Sequence, residues 1–302
     1  KALAQQADAL GYHRYWLAEH HNMPGIASAA TSLLISHLAA ATSRIRLGAG
    51  GIMLPNHSPL VIAEQFGTLA TLYPNRIDLG LGRAPGSDQL TARALRRSRI
   101  ETEDQFPSDI LELQQYFGPV QPNQPVQAVP GQNLNVPLWI LGSSLYGAQL
   151  AAHLGLPYAF ASHFAPKMMV QAADLYRRQF RPSAQLDKPY LMLALNVFAA
   201  ETTAQAKHLF TSAQQQFVNL VRGVADLLPA PVENMDLIWQ PHEKAYVEQA
   251  LSCSVIGNPA EVKQGLLKFI AEHQPDELML AGMMHDPKAR QLSFQIAAEL
   301  IG

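Results

Sequence analysis

Cysteine is nearly missing from this chain: Cys253 stands alone among 302 residues. One thiol excludes an intrachain disulfide and any cysteine-based metal cluster, and it suits a reducing compartment. Charge is also scarce. Charged residues make up 15% of the sequence and the formal net charge is −2. Without a basic block to follow phosphates or an anionic bilayer, neither nucleic acid nor a membrane surface is an expected partner. Long apolar runs are absent too, because Ser, Thr, His and Gly interrupt every candidate for a membrane span. The chain opens on Lys1 with no secretory leader in view, so a cytoplasmic location is expected. There is no Walker motif, no G-x-S-x-G elbow and no HExxH. Gly80-Leu81-Gly82 lacks the third glycine and the following helix of a dinucleotide fingerprint.

What the chain does have is apolar residues, 48% of the total, enough to bury a large core. Their spacing alternates between helix and strand along the whole length. Helices are predicted over Ala2–Leu10, Ser28–Ala41, Pro59–Leu72, Asp104–Phe117, Leu145–Leu154, Pro166–Phe180, Thr202–Val221, Pro259–His273 and from Pro287 onward. Ser58 is well placed to cap the third of these. Strands are predicted at Tyr15–Ala18, Ile45–Leu47, Arg76–Leu81, Leu138–Leu141, Tyr158–Ala161, Tyr190–Phe198 and Glu277–Ala281. That count is seven. Alternation of this kind predicts a parallel sheet covered by helices, and an eighth strand before Lys1 would complete a (β/α)₈ TIM barrel. A doubly wound open sheet is the other architecture that fits. One domain over residues 1–302 is expected, since the Gln/Asn/Pro-rich stretch Gly118–Pro137 reads as a connecting loop. Arg222–Gln249 is too long for a simple connection and reads as a lid or a surface excursion.

In a barrel of this type the chemistry sits where strands end. The predicted strands run into Glu19-His20-His21, Gly48–Gly51, Gly82-Arg83, Gly142-Ser143-Ser144 and Ser162-His163. Gly142-Ser143-Ser144 lies between a strand and a helix, where free N–H groups favour an anion. A serine helix cap would explain one of its hydroxyls without a ligand; Arg83 as a second donor favours phosphate. His20 suits a general base or hydrogen-bond donor. A metal on His20 and His21 together is not expected, because neighbours on an extended strand point to opposite faces; no residue is assigned to a metal. Gly50-Gly51 would permit close approach of a planar ligand. His13, His37, His153, His208 and His273 read as ordinary helix histidines, with His57 and His163 intermediate.

Taken together, Tyr15-Trp16-Leu17-Ala18-Glu19-His20-His21, Gly48-Ala49-Gly50-Gly51-Ile52-Met53-Leu54-Pro55, Asn75–Arg83, Gly142-Ser143-Ser144 and Gly257-Asn258-Pro259-Ala260-Glu261-Val262 resemble the bacterial luciferase-like flavin-dependent monooxygenases, in order and over nearly the whole chain. The resemblance implies a (β/α)₈ barrel that uses reduced FMN and dioxygen on a small organic substrate. It further implies a separate flavin reductase and a homodimer. It matches His20 to the catalytic histidine, and Arg83, Ser143, Ser144 and Gly147 to the flavin phosphate site. It implies a non-prolyl cis peptide at Gly50–Gly51 against the flavin. Glu19, Gly142 and Ser162 join the expected cofactor site. Gly82 occupies the position of the luciferase's reactive cysteine. Ala84–Arg99 and Arg222–Gln249 differ in character from luciferase, so neither light emission nor a long-chain aldehyde substrate is implied. A deazaflavin-dependent reductase, fed by Arg83 with Arg93, Arg96, Arg97 and Arg99, and a non-catalytic flavin-binding protein are the alternatives.

Overall fold

The computed structural model describes residues 1–84, 89–95 and 105–301. Contacts divide it into two compact units. The first comprises residues 1–8, 12–22 and 26–141, and the second residues 9–11, 23–25 and 142–302.

Most of α1 (Ala2–Ala9) belongs to the first unit, with β1 (Arg14–Leu17), α2 (Thr31–Ala39), β2 (Arg46–Met53), α3 (Pro59–Leu72), β3 (Ile77–Gly82), α4 (Gln89–Leu95), α5 (Phe106–Phe117) and β4 (Leu138–Gly142) following in order. Its strands pair in parallel and in chain order. Tyr15 lies opposite Leu47, Leu47 opposite Ile77, and Leu79 opposite Leu138. Every residue of β3 is buried, as expected of a parallel strand covered on both faces. Between Ala49 and Ile52 the register of β2 against β3 shifts. A local bulge of this kind bends the strand and re-aims the side chains beyond it, and here it falls on Gly50-Gly51, which are joined by a cis peptide.

The second unit holds α6 (Leu145–Leu154), β5 (Tyr158–Phe160), α7 (Met169–Gln179), β6 (Leu191–Ala199), α8 (Thr203–Val221), α9 (Pro241–Ala250), β7 (Ser254–Gly257), α10 (Pro259–His273), β8 (Glu277–Ala281) and α11 (Pro287–Ile301). Strand β6 is the hub. It is buried throughout and pairs in parallel with β5, β7 and β8. All pairings in both units are parallel, so the α/β reading holds.

The described residues contain eight strands rather than seven. The additional one is β7, which follows Cys253 and pairs with the last residues of β6, Asn196–Ala199. It is four residues long and mostly half-buried, too short for any periodicity to announce it. Helix α2 starts at Thr31 and not at Ser28. Ser28 is engaged elsewhere: its hydroxyl donates to the Ala18 carbonyl at 2.5 Å and its carbonyl accepts from the Thr31 hydroxyl. Asp104 lies outside the described residues, and helix α5 begins at Phe106. Ser58 does occupy the N-cap position of α3, but its side chain makes no capping hydrogen bond.

The segment 222–249 is not an open loop. Arg222 grips Glu243 with Nε and Nη2 at 2.7 and 2.8 Å. Met235 and Val247 join Phe198, Phe217 and Met284 in one buried cluster of the second unit. No helix among the described residues is long and apolar enough to cross a membrane.

Candidate functional site

Chemistry-bearing residues of the first unit gather after β1 and around the bulge in β2. Glu19 is 1% exposed. A buried carboxylate persists only with several donors, and Glu19 has three. His21 Nε2 and His57 Nε2 both donate to its Oε1, at 2.7 and 2.8 Å, and the Met53 N–H donates to Oε2 at 3.0 Å. Burial alone favours the neutral acid, but the hydrogen bond and attraction of His57, the His21 hydrogen bond and the Met53 N–H outweigh it. The carboxyl is therefore held below its ordinary range. Glu19 thus ties the end of β1 to the turn that leaves β2. His20, on the strand exit between Glu19 and His21, is half-buried.

The glycines of β2 are demanded by close packing. A Cβ on Gly51 would lie 2.7 Å from the Gly80 carbonyl oxygen, and one on Gly50 would lie 3.0 Å from Trp16 Cε3. Trp16 is itself held. Its Nε1 donates to Asp78 Oδ2 at 3.3 Å, and its ring meets Trp139 edge-on at 5.1 Å. Asp78 is fully buried and also receives Arg14 Nη1 at 2.7 Å and Arg46 Nη2 at 2.6 Å. The chain of contact runs from that ion cluster through the Trp16 ring to Gly50.

At the end of β3, Gly82 is buried and Arg83 exposed. A Cβ on Gly82 would meet Met53 Sδ at 2.7 Å, so the Met53 thioether fills the space that a side chain at this position would take. Cys253 is no substitute thiol: burial pushes it up to about 11, leaving it protonated at neutral pH. Arg93 is exposed on α4; Arg96, Arg97 and Arg99 lie outside the described residues, as does much of Ala84–Arg99.

In the second unit Gly142, Ser143 and Ser144 lead into α6. Ser144 holds the N-cap position, but its side chain makes no capping bond. The serine-cap explanation of this sequence is therefore not what the structure contains. Both serines are exposed. Gly142 and Gly147 face each other so closely that a Cβ on either would come within 3.5 Å of the other's Cα. Tyr158 fixes this turn by donating its hydroxyl to the Ser144 carbonyl at 3.1 Å. An exposed helix start without a side-chain cap leaves N–H donors for an anion. Ser162 is fully buried and donates its hydroxyl to the Ala194 carbonyl at 2.5 Å. Next to it, His163 has a buried Nδ1 with no hydrogen-bond partner, and burial pushes its imidazole down to about 4.

The luciferase-like monooxygenase family profile matches residues 1–274. The chain belongs to the luciferase-like monooxygenase family. It is 58% identical over 298 residues to a luciferase-like monooxygenase of Escherichia coli K12, covering 99% of this chain and 89% of that protein. It is 30% identical over 317 residues to the N-acetyl-S-alkylcysteine monooxygenase of Bacillus subtilis, covering 99% and 90%. Among solved structures, apo-MsnO8 superposes with a TM-score of 0.88 at 35% identity, covering 99% of this chain and 90% of that one. More distant structures share the fold. One is the FMN complex of the oxygenating constituent of 3,6-diketocamphane monooxygenase from Pseudomonas putida, at TM-score 0.72 and 14% identity, covering 98% and 89%. Another is an F420-dependent secondary alcohol dehydrogenase, at 0.70 and 15%, covering 99% and 92%. This luciferase-like chain is accordingly an enzyme, a monooxygenase by family, with the parallel α/β fold of its relatives.

The sequence pointed to the strand exits but missed His57 and His21 as partners of Glu19. His57 is 38 residues from Glu19, and only the path of β2 brings it back. Asp78 gave no signal either, since one aspartate inside a strand looks like a polar interruption.

Proposed function

We propose that this luciferase-like enzyme is an FMN-dependent monooxygenase that takes reduced FMN from a separate reductase and acts with dioxygen on a small organic substrate. The observation that carries the reading is the start of α6: exposed Ser143 and Ser144, no side-chain cap, and Gly142 and Gly147 clearing the approach. Such a cradle suits a phosphate monoester such as that of FMN. When bound, reduced FMN supplies the electrons that let dioxygen react.

The chain's own residues do the rest. Gly142, Ser143, Ser144 and Gly147 bind the phosphate, and Arg83 is assigned to the same anion as its cationic donor. Gly50 and Gly51, free of side chains, offer backbone to the face of the isoalloxazine ring. Glu19 fixes the turn after Met53, and Ser162 braces β5 against β6. His20 accepts or returns a proton at the reacting centre. The whole of 1–302 works as one luciferase-like domain in the cytoplasm, as a homodimer; exposed Leu33, Val61, Leu72 and Leu111 on α2, α3 and α5 suit such a contact.

The deazaflavin alternative draws support from the F420-dependent neighbour and from exposed Arg83 and Arg93. The two differ in their use of oxygen. With an added flavin reductase, FMN and reduced nicotinamide, oxygenated product from a thioether such as an N-acetyl-S-alkylcysteine, or from another accepted substrate, should form only when this chain is present, whereas free reduced FMN gives peroxide alone. Dioxygen uptake driven by reduced nicotinamide with no reductase would remove the separate reductase from the account.

A further inference from the structure

We propose that Glu19, His21 and His57 form a binding site for one divalent transition-metal cation of the zinc class. His20 and His21 lie beyond the end of β1, and His20 is not one of the three residues in this cluster. The structure instead brings His21, two residues from Glu19, together with His57 from beyond β2. Their ligand atoms and a Glu19 oxygen all lie within 4.8 Å of one another.

Two imidazoles and one carboxylate form a known three-ligand set for zinc and for iron(II). Several features go beyond a chance meeting of side chains. Both Nε2 atoms converge on the same oxygen, Oε1, at 2.7 and 2.8 Å. The other oxygen is held by the Met53 N–H, the kind of outer contact that orients a ligating carboxylate. Glu19 is 1% exposed, while the side chains of His21 and His57 are 16% and 25% exposed, so a cation can enter from the imidazole side. Glu19 and His57 also line a cavity of about 280 Å³ with Thr31, Ile52, Ile62 and Gln65. That space admits the water ligands that three protein donors leave to be supplied.

Binding needs small movements. At bond lengths of about 2.0–2.1 Å, tetrahedral ligand atoms stand roughly 3.3 Å apart, so each Nε2–Oε1 contact opens by about half an ångström. Each imidazole proton shifts from Nε2 to Nδ1, which frees the Nε2 lone pair without changing the ring's charge. With both imidazoles neutral, one divalent cation takes the cluster from a net charge of −1 on Glu19 to a net +1 shared with water. Neither the α6 phosphate cradle nor the identity of the flavin enters this argument.

The test uses the purified chain dialysed against a chelator. Calorimetric titration with Zn²⁺ alone should give one site per chain, and Co²⁺ alone should give visible absorption bands of low-symmetry coordination. Both signals should disappear in His57→Ala and in His21→Ala and persist in His37→Ala, whose histidine is exposed on α2. Circular dichroism identifies any variant that fails to fold, and His57→Gln then replaces it. Absence of a one-equivalent site in the parent chain would overturn the proposal. So would a site that survives in both His21→Ala and His57→Ala.

Discussion

Replacing Asp78 with asparagine removes one negative charge from a place where the fold has committed two guanidinium groups to it. Asp78 is 0% exposed, and the side chains of Arg14 and Arg46 are 10% and 20% exposed. Four side-chain donors converge on its two oxygens: Arg14 Nη1, Trp16 Nε1, Arg46 Nε and Arg46 Nη2. Breaking a buried ion pair from one side costs about 3–5 kcal/mol, because the other charge stays buried without compensation. Both arginines keep some water, and asparagine retains one acceptor, so the lower end applies, about 3 kcal/mol. For a chain of this size each kcal/mol lowers Tm by roughly 2 °C, giving a fall of about 6 °C. Chemical denaturation of parent and Asp78→Asn, with Tm alongside, measures it. The variant should also loosen Trp16 and with it the surface behind Gly50, so FMN affinity should fall together with stability. A loss below about 1 kcal/mol would mean that water screens the cluster as it screens surface pairs, and would refute the reasoning.

Four further outcomes are expected. Gly67→Ala should destabilise by about 1–2 kcal/mol even though alanine favours a helix by about 1 kcal/mol, because its Cβ would lie 2.2 Å from the Pro130 carbonyl oxygen; a stabilised variant in urea melts would contradict this. Arg83→Ala should raise the Kd for FMN about 10- to 100-fold, the loss of one charge-assisted hydrogen bond, and an unaltered Kd would remove Arg83 from the phosphate site. His20→Ala should leave FMN binding largely intact while cutting oxygenation strongly; unchanged turnover would remove its proton-transfer role. Acid stability should depend on Asp8. Burial raises its carboxyl, but the N–H groups of Ser43, Ile45 and Arg44 and the Ser43 hydroxyl outweigh that and hold it at about 2 rather than 3.8. Its folded value is the lower one, so its contribution is present above about pH 4 and lost as pH falls toward about 2. Asp8→Asn should flatten that limb of the stability curve, and an unchanged limb would show that Asp8 is not its source.

How far the sequence could be read depended on whether the signal was local. Helices α3, α6 and α10 and strand β8 have the ends predicted for them. Proline stands at the first position of α3 and α10, and Gly155 closes α6 in the left-handed region at φ 64°. These are local constraints that a neighbour cannot override. Strand β7 was invisible because four residues, three of them half-buried, carry no period. The serines before α3 and α6 do stand at N-cap positions, yet a rotamer decides whether a hydroxyl turns back to cap, and sequence does not encode that choice. The Glu19–His57 and Arg14–Asp78 contacts needed segments 38 and 64 residues apart to be set in register. The strand exits themselves pointed to His20 and Arg83, and family resemblance added the cis peptide at Gly50–Gly51, which is present in the structure.

The central claim, that this luciferase-like chain binds reduced FMN, is tested most directly by anaerobic titration of the chain with reduced FMN, followed by competition with a reduced deazaflavin cofactor. The account predicts saturation at one FMN per chain and no displacement by the deazaflavin. Displacement, or no binding of reduced FMN at all, would contradict it.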